Sequence, residues 1–485
     1  MLSGEHSGEW YLPGGKKFPG QLIINNKKET IILEIFGAEF IEGVTIDPPN
    51  TYPHHFHSVI LGDNITATLY NCHWLGCSEI GKNLYRITYR IEYVFTGVHF
   101  KNPELTVRYG SFIFSHLATW FDGDEFHDKL KGKQGLYING EHVAQDMLKT
   151  DEIKINDELT IYFQDKVRES IDKTDTSYKV LYEKFTHFQY SVDKPFAALL
   201  KDAVTFLKLL SFCFGKPMNF FIVYVGADRY MLSSNGNDYL NDKAPVQVHV
   251  NNYTLKKGKK IEIHSYHSRH MALSGETCSR EEMKQIIINW FANEKFYNIY
   301  EYYLDSNNWM QGTKARLSNI MFNNRFLNLI QGLEDYFREN FETALTQADR
   351  QEFERKKSNV LKSITDPAVK KWLNNTFKFT GYPTLEEKLT KIVTETSEDL
   401  SKLFEGISID WFAKSATQFR HKLSHGMAKE INLGRELHRD YHTAQVLLGV
   451  CILRSLGVAK LKERVAYYSR FEDAANEIYL FQKKP

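Results

Sequence analysis

Residues 317–337 read LSNIMFNNRFLNLIQGLEDYF, and apolar side chains recur in this segment at the three- and four-residue spacing of an α-helix. The stripe continues for about six turns, which predicts a long amphipathic helix. Thr384 with Glu387 three residues later forms a capping box, the pattern that starts a second helix. Residues 446–453 are almost all apolar, which is typical of a helix buried on most sides. From residue 279 onward the sequence therefore predicts an all-α bundle.

The preceding part of the chain has a different pattern. Residues 84–93 read LYRITYRIEY, and such alternation of apolar and polar side chains predicts a strand with one buried face. Turn-forming clusters such as Pro13-Gly14-Gly15 and Pro19-Gly20 are expected to separate the strands. Residues 195–214 have helical spacing instead.

These patterns predict an α+β multidomain protein. Residues 1–275 form the β-rich N-terminal region, which is either one large module or two smaller ones, and residues 276–485 form the helical domain. A hydrophobic content of 42% and an aromatic content of 14% exclude intrinsic disorder as the dominant state.

The overall charge excludes a uniformly basic coat for nucleic acid or membrane. The chain has 61 Lys and Arg against 60 Asp and Glu, a formal net charge of +1. Five scattered cysteines do not form a secreted disulfide framework, and no segment reads as a signal peptide or a membrane span. We therefore expect a cytoplasmic protein without a membrane partner.

The segment 419–426, FRHKLSHG, offers the most specific chemistry. Arg420 and His425 combine a permanent cation with an imidazole whose ordinary pKa is close to neutral pH. Metal-independent RNA cleavage needs a base for the ribose 2′-OH and a cation for the charge that develops on the phosphate. The alternative interpretation is a solvated helix margin.

Spacing alone does not decide between these alternatives. For this composition, about two Arg–His pairs with four to six intervening residues are expected by chance. The chain has two, Arg420/His425 and Arg435/His442. Residues five apart on an ideal helix are about 140° apart, so Arg420 and His425 converge only if the helix is distorted or a second copy of the motif faces it.

The local charge favours an RNA partner. Residues 410–470 contain eleven Lys or Arg and five Asp or Glu, an excess of six positive charges that the rest of the chain offsets. Such a basic region suits phosphate contacts, and we expect Lys422, Ser424 and Lys429 to bind RNA. An ordinary helical surface with lysine-rich ends is the alternative.

The helical half with Arg420-x4-His425 resembles the HEPN domains of bacterial immunity, and the whole chain is similar to ApeA-type anti-phage HEPN proteins. Four stretches of the β-rich half carry the rest of the resemblance, and together with the helical half they cover most of the chain. They are Gly8-Glu9-Trp10-Tyr11-Leu12-Pro13 with its continuation to Gly37, Thr68-Leu69-Tyr70-Asn71-Cys72, Gly97-Val98-His99-Phe100 and Leu117-Ala118-Thr119-Trp120.

The resemblance implies a homodimer of HEPN bundles that cuts RNA in a composite cleft without a metal or another cofactor. His425 matches the catalytic histidine, and Arg420 matches the arginine that contacts the scissile phosphate. Family members often have Asn after this Arg, whereas His421 stands here and takes a supporting role. Glu334 is either a polar supporting group or part of a solvated face. The expected product is a 2′,3′-cyclic phosphate.

Together these features predict an abortive-infection endoribonuclease with tRNA as a reasonable substrate. We expect its N-terminal region to sense a phage-derived trigger and to hold the helical domain inactive until infection. The alternative function is a non-catalytic HEPN module that binds or dimerises while the β region senses a ligand. A zinc site at Cys72-His73 with Cys77 and at His54-His55-x-His57 is a weaker candidate, because no second Cys-x2-Cys pair exists.

Overall fold

The computed structural model divides the chain into two compact units. The first comprises Met1–Ser211 and Pro217–Tyr266, and the second comprises Phe212–Lys216 and His267–Pro485. The structure describes the following residues: 4–11, 17–25, 30–37, 55–60, 65–81, 84–97, 105–122, 150–171, 178–215, 218, 220–226, 231–234, 237–240, 246–250, 271–293, 297–306, 319–341, 347–376, 383–424 and 435–483. The predicted α+β class, with a β-rich N-terminal part and a helical C-terminal part, is confirmed. The domain limits at residues 275 and 276 stay predictions.

The strands that the structure describes belong to the first unit. They are β1 (Gly4–Tyr11), β2 (Lys17–Asn25), β3 (Thr30–Gly37), β4 (His55–Ile60), β5 (Ile65–Gly81), β6 (Leu84–Thr96), β7 (Thr106–Phe114), β8 (Thr150–Lys154), β9 (Leu159–Ile171), β10 (Tyr178–Pro195), β11 (Phe220–Gly226), β12 (Met231–Ser234), β13 (Asn237–Leu240) and β14 (Val246–Val250). β12 and β13 form a separate two-stranded sheet, and the other twelve strands form one antiparallel sheet in the order β3-β2-β1-β4-β5-β6-β14-β11-β7-β10-β9-β8.

A further pairing between β3 and β6 closes the first six strands into a ring. The alternation predicted for residues 84–93 explains its core, because Ile87, Tyr89 and Ile91 of β6 all point into one buried cluster. Trp10 of β1 lies in the same cluster and is fully buried. The hydrophobic faces of the strands thus fill the space that the ring encloses.

The expectation that Pro19-Gly20 is a turn between strands is wrong. Both residues lie inside β2, where Pro19 pairs with Glu9 and Gly20 pairs with Gly8 and Ile35. A Cβ atom at position 20 would lie 2.6 Å from the Trp10 ring. Gly20 therefore lets the Trp10 side chain pack directly against strand β2, and such a close approach is one of the reasons for a glycine inside a strand.

The helices that the structure describes are mostly in the second unit. They are α1 (Leu117–Asp122), α2 (Phe196–Phe214), α3 (Arg280–Ala292), α4 (Tyr297–Ser306), α5 (Asn319–Asn340), α6 (Gln347–Ser363), α7 (Pro367–Thr376), α8 (Leu385–Leu400), α9 (Phe412–Ser424), α10 (Arg435–Ser455), α11 (Leu461–Tyr467) and α12 (Ser469–Lys483). α1 and most of α2 belong to the first unit. There Phe196, the first residue of α2, packs edge-on against Tyr93 and Phe95 of β6, with ring centroids 5.1 and 5.3 Å apart.

Helix α10 is central to the helical unit. Its residues from Thr443 to Leu453 are all buried, as the apolar run at 446–453 predicts. It packs against α4, α5, α8, α9, α11 and α12. Helix α8 begins with the predicted capping box, in which the Thr384 hydroxyl accepts from the Glu387 amide and the Glu387 carboxylate accepts from the Thr384 amide. The helices that carry the candidate site residues are thus fixed to one core.

Candidate active site

Helix α9 carries Arg420 and is held in the bundle by its apolar side. Phe412, Ala413, Ala416 and Phe419 are buried, and the Phe419 ring lies edge-on to Phe326 of α5 with centroids 6.5 Å apart. The i, i+4, i+7 spacing of the buried residues places them on one face. The polar residues that follow Phe419 therefore lie at the margin of a packed helix.

A contact with α10 fixes the start of α9. The Arg439 guanidinium carbon lies 3.4 Å from the centroid of the Trp411 ring, a cation–π contact. Asp440 is fully buried, and Arg439 Nη2 lies 3.2 Å from its Oδ1. Burial raises the pKa of Asp440 to about 6, and the opposing effects of Ser415 and Arg439 are smaller.

Arg420, Glu334 and Lys388 form a cation–carboxylate cluster between α9, α5 and α8. Arg420 Nη2 lies 3.7 Å from Glu334 Oε2, and Lys388 Nζ lies 3.8 Å from Glu334 Oε1. The side chains of Glu334 and Lys388 are 16% and 15% exposed, whereas that of Arg420 is 42% exposed. One carboxylate thus faces two cations, and the more exposed cation is Arg420.

The geometry of the cluster leaves Arg420 able to bind an anion. A separation of 3.7 Å is an ion pair but not a hydrogen bond, so Glu334 orients the guanidinium without occupying its N–H donors. A guanidinium offers a planar fork of donors that matches the oxygens of a phosphate. The arrangement is suited to holding a phosphate at the exposed side of Arg420.

The structure places three further predicted residues on the last turn of α9. His421, Lys422 and Ser424 are exposed there, and the positive charge of Lys422 suits the negative end of the helix dipole. His425 and Lys429 lie outside the described residues. Arg420 and Glu334 are thus brought together, while the distance between Arg420 and His425 stays untested.

The second Arg–His match has a different environment. Arg435 is exposed at the start of α10, and His442 lies two turns later in the same helix. Burial, with a smaller contribution from the nearby His438 and Arg470, lowers the pKa of His442 to about 4. An imidazole in this environment is neutral at pH 7.

Lys388 is the member of the cluster that sequence reasoning missed. It precedes Leu389 in the buried stripe of α8, as Glu334 follows Leu333 in that of α5. A charged residue next to the buried stripe of each of two helices was the available signal. Which helices face each other depends on tertiary packing, so the pairing of Glu334 with Lys388 could not be inferred.

Two further findings concern metals and membranes. Among the described residues, no group of three His, Cys, Asp or Glu is arranged to hold a metal ion. In the zinc candidate, Cys72 is buried and Cys77 exposed, while His73 Nε2 lies 2.8 Å from Glu92 Oε1. No helix within the described ranges has the length and apolar character needed to cross a membrane.

Each half of the chain matches a known protein family. The family ApeA N-terminal domain 1 matches residues 5–290, more than half of the chain. The family Apea-like HEPN matches residues 327–462, which include Glu334, Lys388, Arg420 and His425. No curated protein and no solved structure matches the chain significantly. The order and extent of the two family matches show that the chain belongs to the ApeA-type HEPN anti-phage proteins.

Proposed function

We propose that this protein is an anti-phage endoribonuclease that cleaves RNA without a metal. HEPN domains are generally ribonucleases that act as dimers. The observation that supports this proposal most directly is the position of Arg420. Its guanidinium is exposed and is oriented by the largely buried carboxylate of Glu334, and it lies five residues before His425 in the sequence. The proposed dimer brings two copies of this motif to one cleft.

In the proposed reaction, His425 removes the proton from the ribose 2′-OH, and the oxygen attacks the adjacent phosphorus. The bond from phosphorus to the 5′-oxygen breaks, and that oxygen takes a proton from a second general acid, for which the partner's His425 is available. Arg420 stabilises the negative charge of the pentacoordinate transition state. The products are a 2′,3′-cyclic phosphate and a 5′-hydroxyl.

The supporting residues have separate roles. Glu334 and Lys388 orient Arg420, while His421 donates a hydrogen bond or carries positive charge beside the phosphate. Lys422, Ser424 and Lys429 bind the RNA backbone. The N-terminal region holds the bundle inactive until a phage-derived trigger binds, and tRNA is the proposed substrate because its loss halts translation.

The test is cleavage of total RNA by purified full-length protein in EDTA, followed by sequencing of the new ends. We expect wild-type protein to produce 2′,3′-cyclic phosphate ends, enriched in tRNA, and Arg420→Ala and His425→Ala to lower their yield at least 100-fold, the scale of losing one transition-state group. Arg435→Ala and His442→Ala are the matched controls, since they remove the other Arg–His pair of the same domain.

Two outcomes contradict the proposal. Full activity in both Arg420→Ala and His425→Ala places the chemistry elsewhere. RNA binding without any cleavage by the wild type, with or without phage infection of the source cells, supports the non-catalytic binding module instead.

A further inference from the structure

Helices α6 and α7 form a segment, here called the arm (residues 347–376), whose side chains are unusually exposed. None of its described side chains, from residue 351 to residue 376, is buried. Val360, Val369 and Trp372 are 43%, 42% and 65% exposed, and Trp372 is the most exposed large apolar side chain that the structure describes. A ten-residue helix such as α7 is marginal in water without a packed face. Its apolar face is therefore a candidate binding surface.

The arm is joined to the end of the bundle that carries the cation–carboxylate cluster. It connects the C-terminal end of α5 with the start of α8. Glu334 lies six residues before the end of α5, about 9 Å along the helix, and Lys388 is the fourth residue of α8. The connecting segments 342–346 and 377–382 can span at most about 25 Å each. Both ends of the arm are thus tethered to helices that carry residues of the cluster.

The arm carries positive charge that its own acidic residues do not neutralise. It contains seven Lys or Arg and four Asp or Glu. Glu352 pairs with both Arg355 and Lys356, at 2.8 and 3.4 Å, and Asp366 caps α7 by accepting from two backbone amides. Four lysines have no acidic partner among the described residues: Lys357, Lys362, Lys370 and Lys371.

The geometry of α7 combines this charge with an exposed aromatic ring. At 100° per residue, Val369, Trp372 and Leu373 share one face; Lys370 lies about 60° beyond Leu373 on one side of it, and Lys371 lies about 100° beyond Trp372 on the other. Lysines on the same helix as an exposed aromatic ring suit single-stranded nucleic acid, because the ring can stack on a base while the ammonium groups contact phosphates of the strand. Two-fold pairing of α7 with a second copy would bring the same lysines together, which disfavours self-association.

We propose that the arm is an RNA-binding element, in which Trp372 stacks on an unpaired base and the lysines on either side of its apolar face, Lys370 and Lys371, contact phosphates of the same strand. The choice of RNA rests on the proposed function, which makes RNA the substrate. Because it is tethered to the helices of the cluster, the arm holds unpaired RNA for the cleft and selects substrates with exposed bases.

The test is binding of full-length protein to a fluorescein-labelled, 20-nucleotide single-stranded RNA in which every sugar is 2′-O-methylated. This probe cannot be cut by 2′-OH attack, so binding is measured independently of cleavage. We expect Trp372→Ala to weaken binding roughly 5- to 150-fold, the range for losing one stacked base. Trp372→Tyr, which keeps an aromatic ring at this position, should retain most of the wild-type affinity for the RNA. Lys370→Glu with Lys371→Glu should lower the slope of log affinity against log salt by about 1.4.

Matched controls lie on another surface of the helical unit. Tyr467 is 59% exposed, so Tyr467→Ala removes a comparable ring, and Lys402→Glu with Lys462→Glu makes the same charge change. Neither should alter the binding constant by more than twofold. All variants change exposed residues, and their circular dichroism and melting curves should match those of the wild type.

The outcomes separate this proposal from the proposed function. If the wild type cleaves RNA and Trp372→Ala binds and cleaves as well as the wild type, the arm is not an RNA-binding element although the ribonuclease stands. If Trp372→Ala weakens binding but the wild type never cleaves RNA, the arm stands and the ribonuclease fails. A loss of dimer or protein-complex mass in Trp372→Ala with unchanged RNA affinity assigns the surface to a protein partner and overturns the proposal.

Discussion

Replacing the buried Asp440 by Asn should change how the stability of the helical unit depends on pH. The pKa of Asp440 is raised from 3.8 to about 6 by burial, so the folded protein keeps this proton to a higher pH than the unfolded chain. Protonated Asp440 therefore stabilises the folded protein. Its contribution to the free energy of unfolding is fully present below about pH 4 and is lost as the pH rises through 6. A difference of about two pKa units corresponds to about 3 kcal/mol.

His442 should have the opposite effect over nearly the same range. Its pKa is lowered from 6.5 to about 4, so the unfolded chain binds the proton first as the pH falls. The contribution is present above pH 6.5 and is lost by about pH 4, again a change of about 3 kcal/mol. In the wild type, Asp440 and His442 therefore change the free energy of unfolding in opposite directions between pH 4 and pH 6, and their contributions nearly cancel.

The assay is urea denaturation followed by circular dichroism at 222 nm, repeated between pH 4 and pH 6.5. The free energy of unfolding of Asp440→Asn, minus that of the wild type, should rise by about 2 kcal/mol from pH 4 to pH 6, since part of the difference of about 3 kcal/mol develops outside this range. The same difference for His442→Gln should fall by a similar amount. Asp473→Asn, on the exposed side of α12, is the control for losing a carboxylate. Differences for Asp440→Asn and His442→Gln that do not vary with pH would refute the reasoning.

Three further predictions concern the cluster and the bundle. Glu334→Gln should lower the kcat of RNA cleavage about 10- to 100-fold by releasing Arg420, and it should also lower the melting temperature because Lys388 loses its carboxylate partner; an unchanged kcat contradicts this role. Gly449→Ala should lower the free energy of unfolding by about 1–3 kcal/mol in urea titrations, because its Cβ would lie 2.4 Å from the Phe471 ring, and a stabilised variant would contradict that packing. Thr384→Ala should cost about 1 kcal/mol in the same titration through loss of the helix cap, and Thr384→Ser should recover it.

Local patterns predicted most of the elements because each element follows from nearby residues. The predicted helix at 195–214 is found at Phe196–Phe214, and the capping box at Thr384 starts α8 as expected. The closure of six strands into a ring could not be predicted, since it depends on the pairing of β3 with β6, which are some 50 residues apart in sequence. Pro19-Gly20 failed as a turn for the same reason: the approach of Trp10 is a tertiary contact.

The candidate site was predictable only in part. The buried stripe of α9 placed Arg420 at a helix margin, which the packing of Phe419 on α5 explains. The side chain that orients Arg420 is Glu334 of α5. From the helical pattern of α5 alone, Glu334 could equally have faced water. Its low exposure arises because α8 and α9 both pack against that part of α5, bringing Lys388 and Arg420 to it.

The cluster itself argues for a ligand rather than a purely structural pair. A buried carboxylate needs one cation to compensate its charge, and Lys388, which is as buried as Glu334, supplies it. Arg420 is then not needed to balance the charge of Glu334. Its ion pair with Glu334, at 3.7 Å and with the Arg420 side chain 42% exposed, contributes little to stability. The cluster therefore holds an excess positive charge on its most exposed member. An anion such as a phosphate is the partner that would balance this charge.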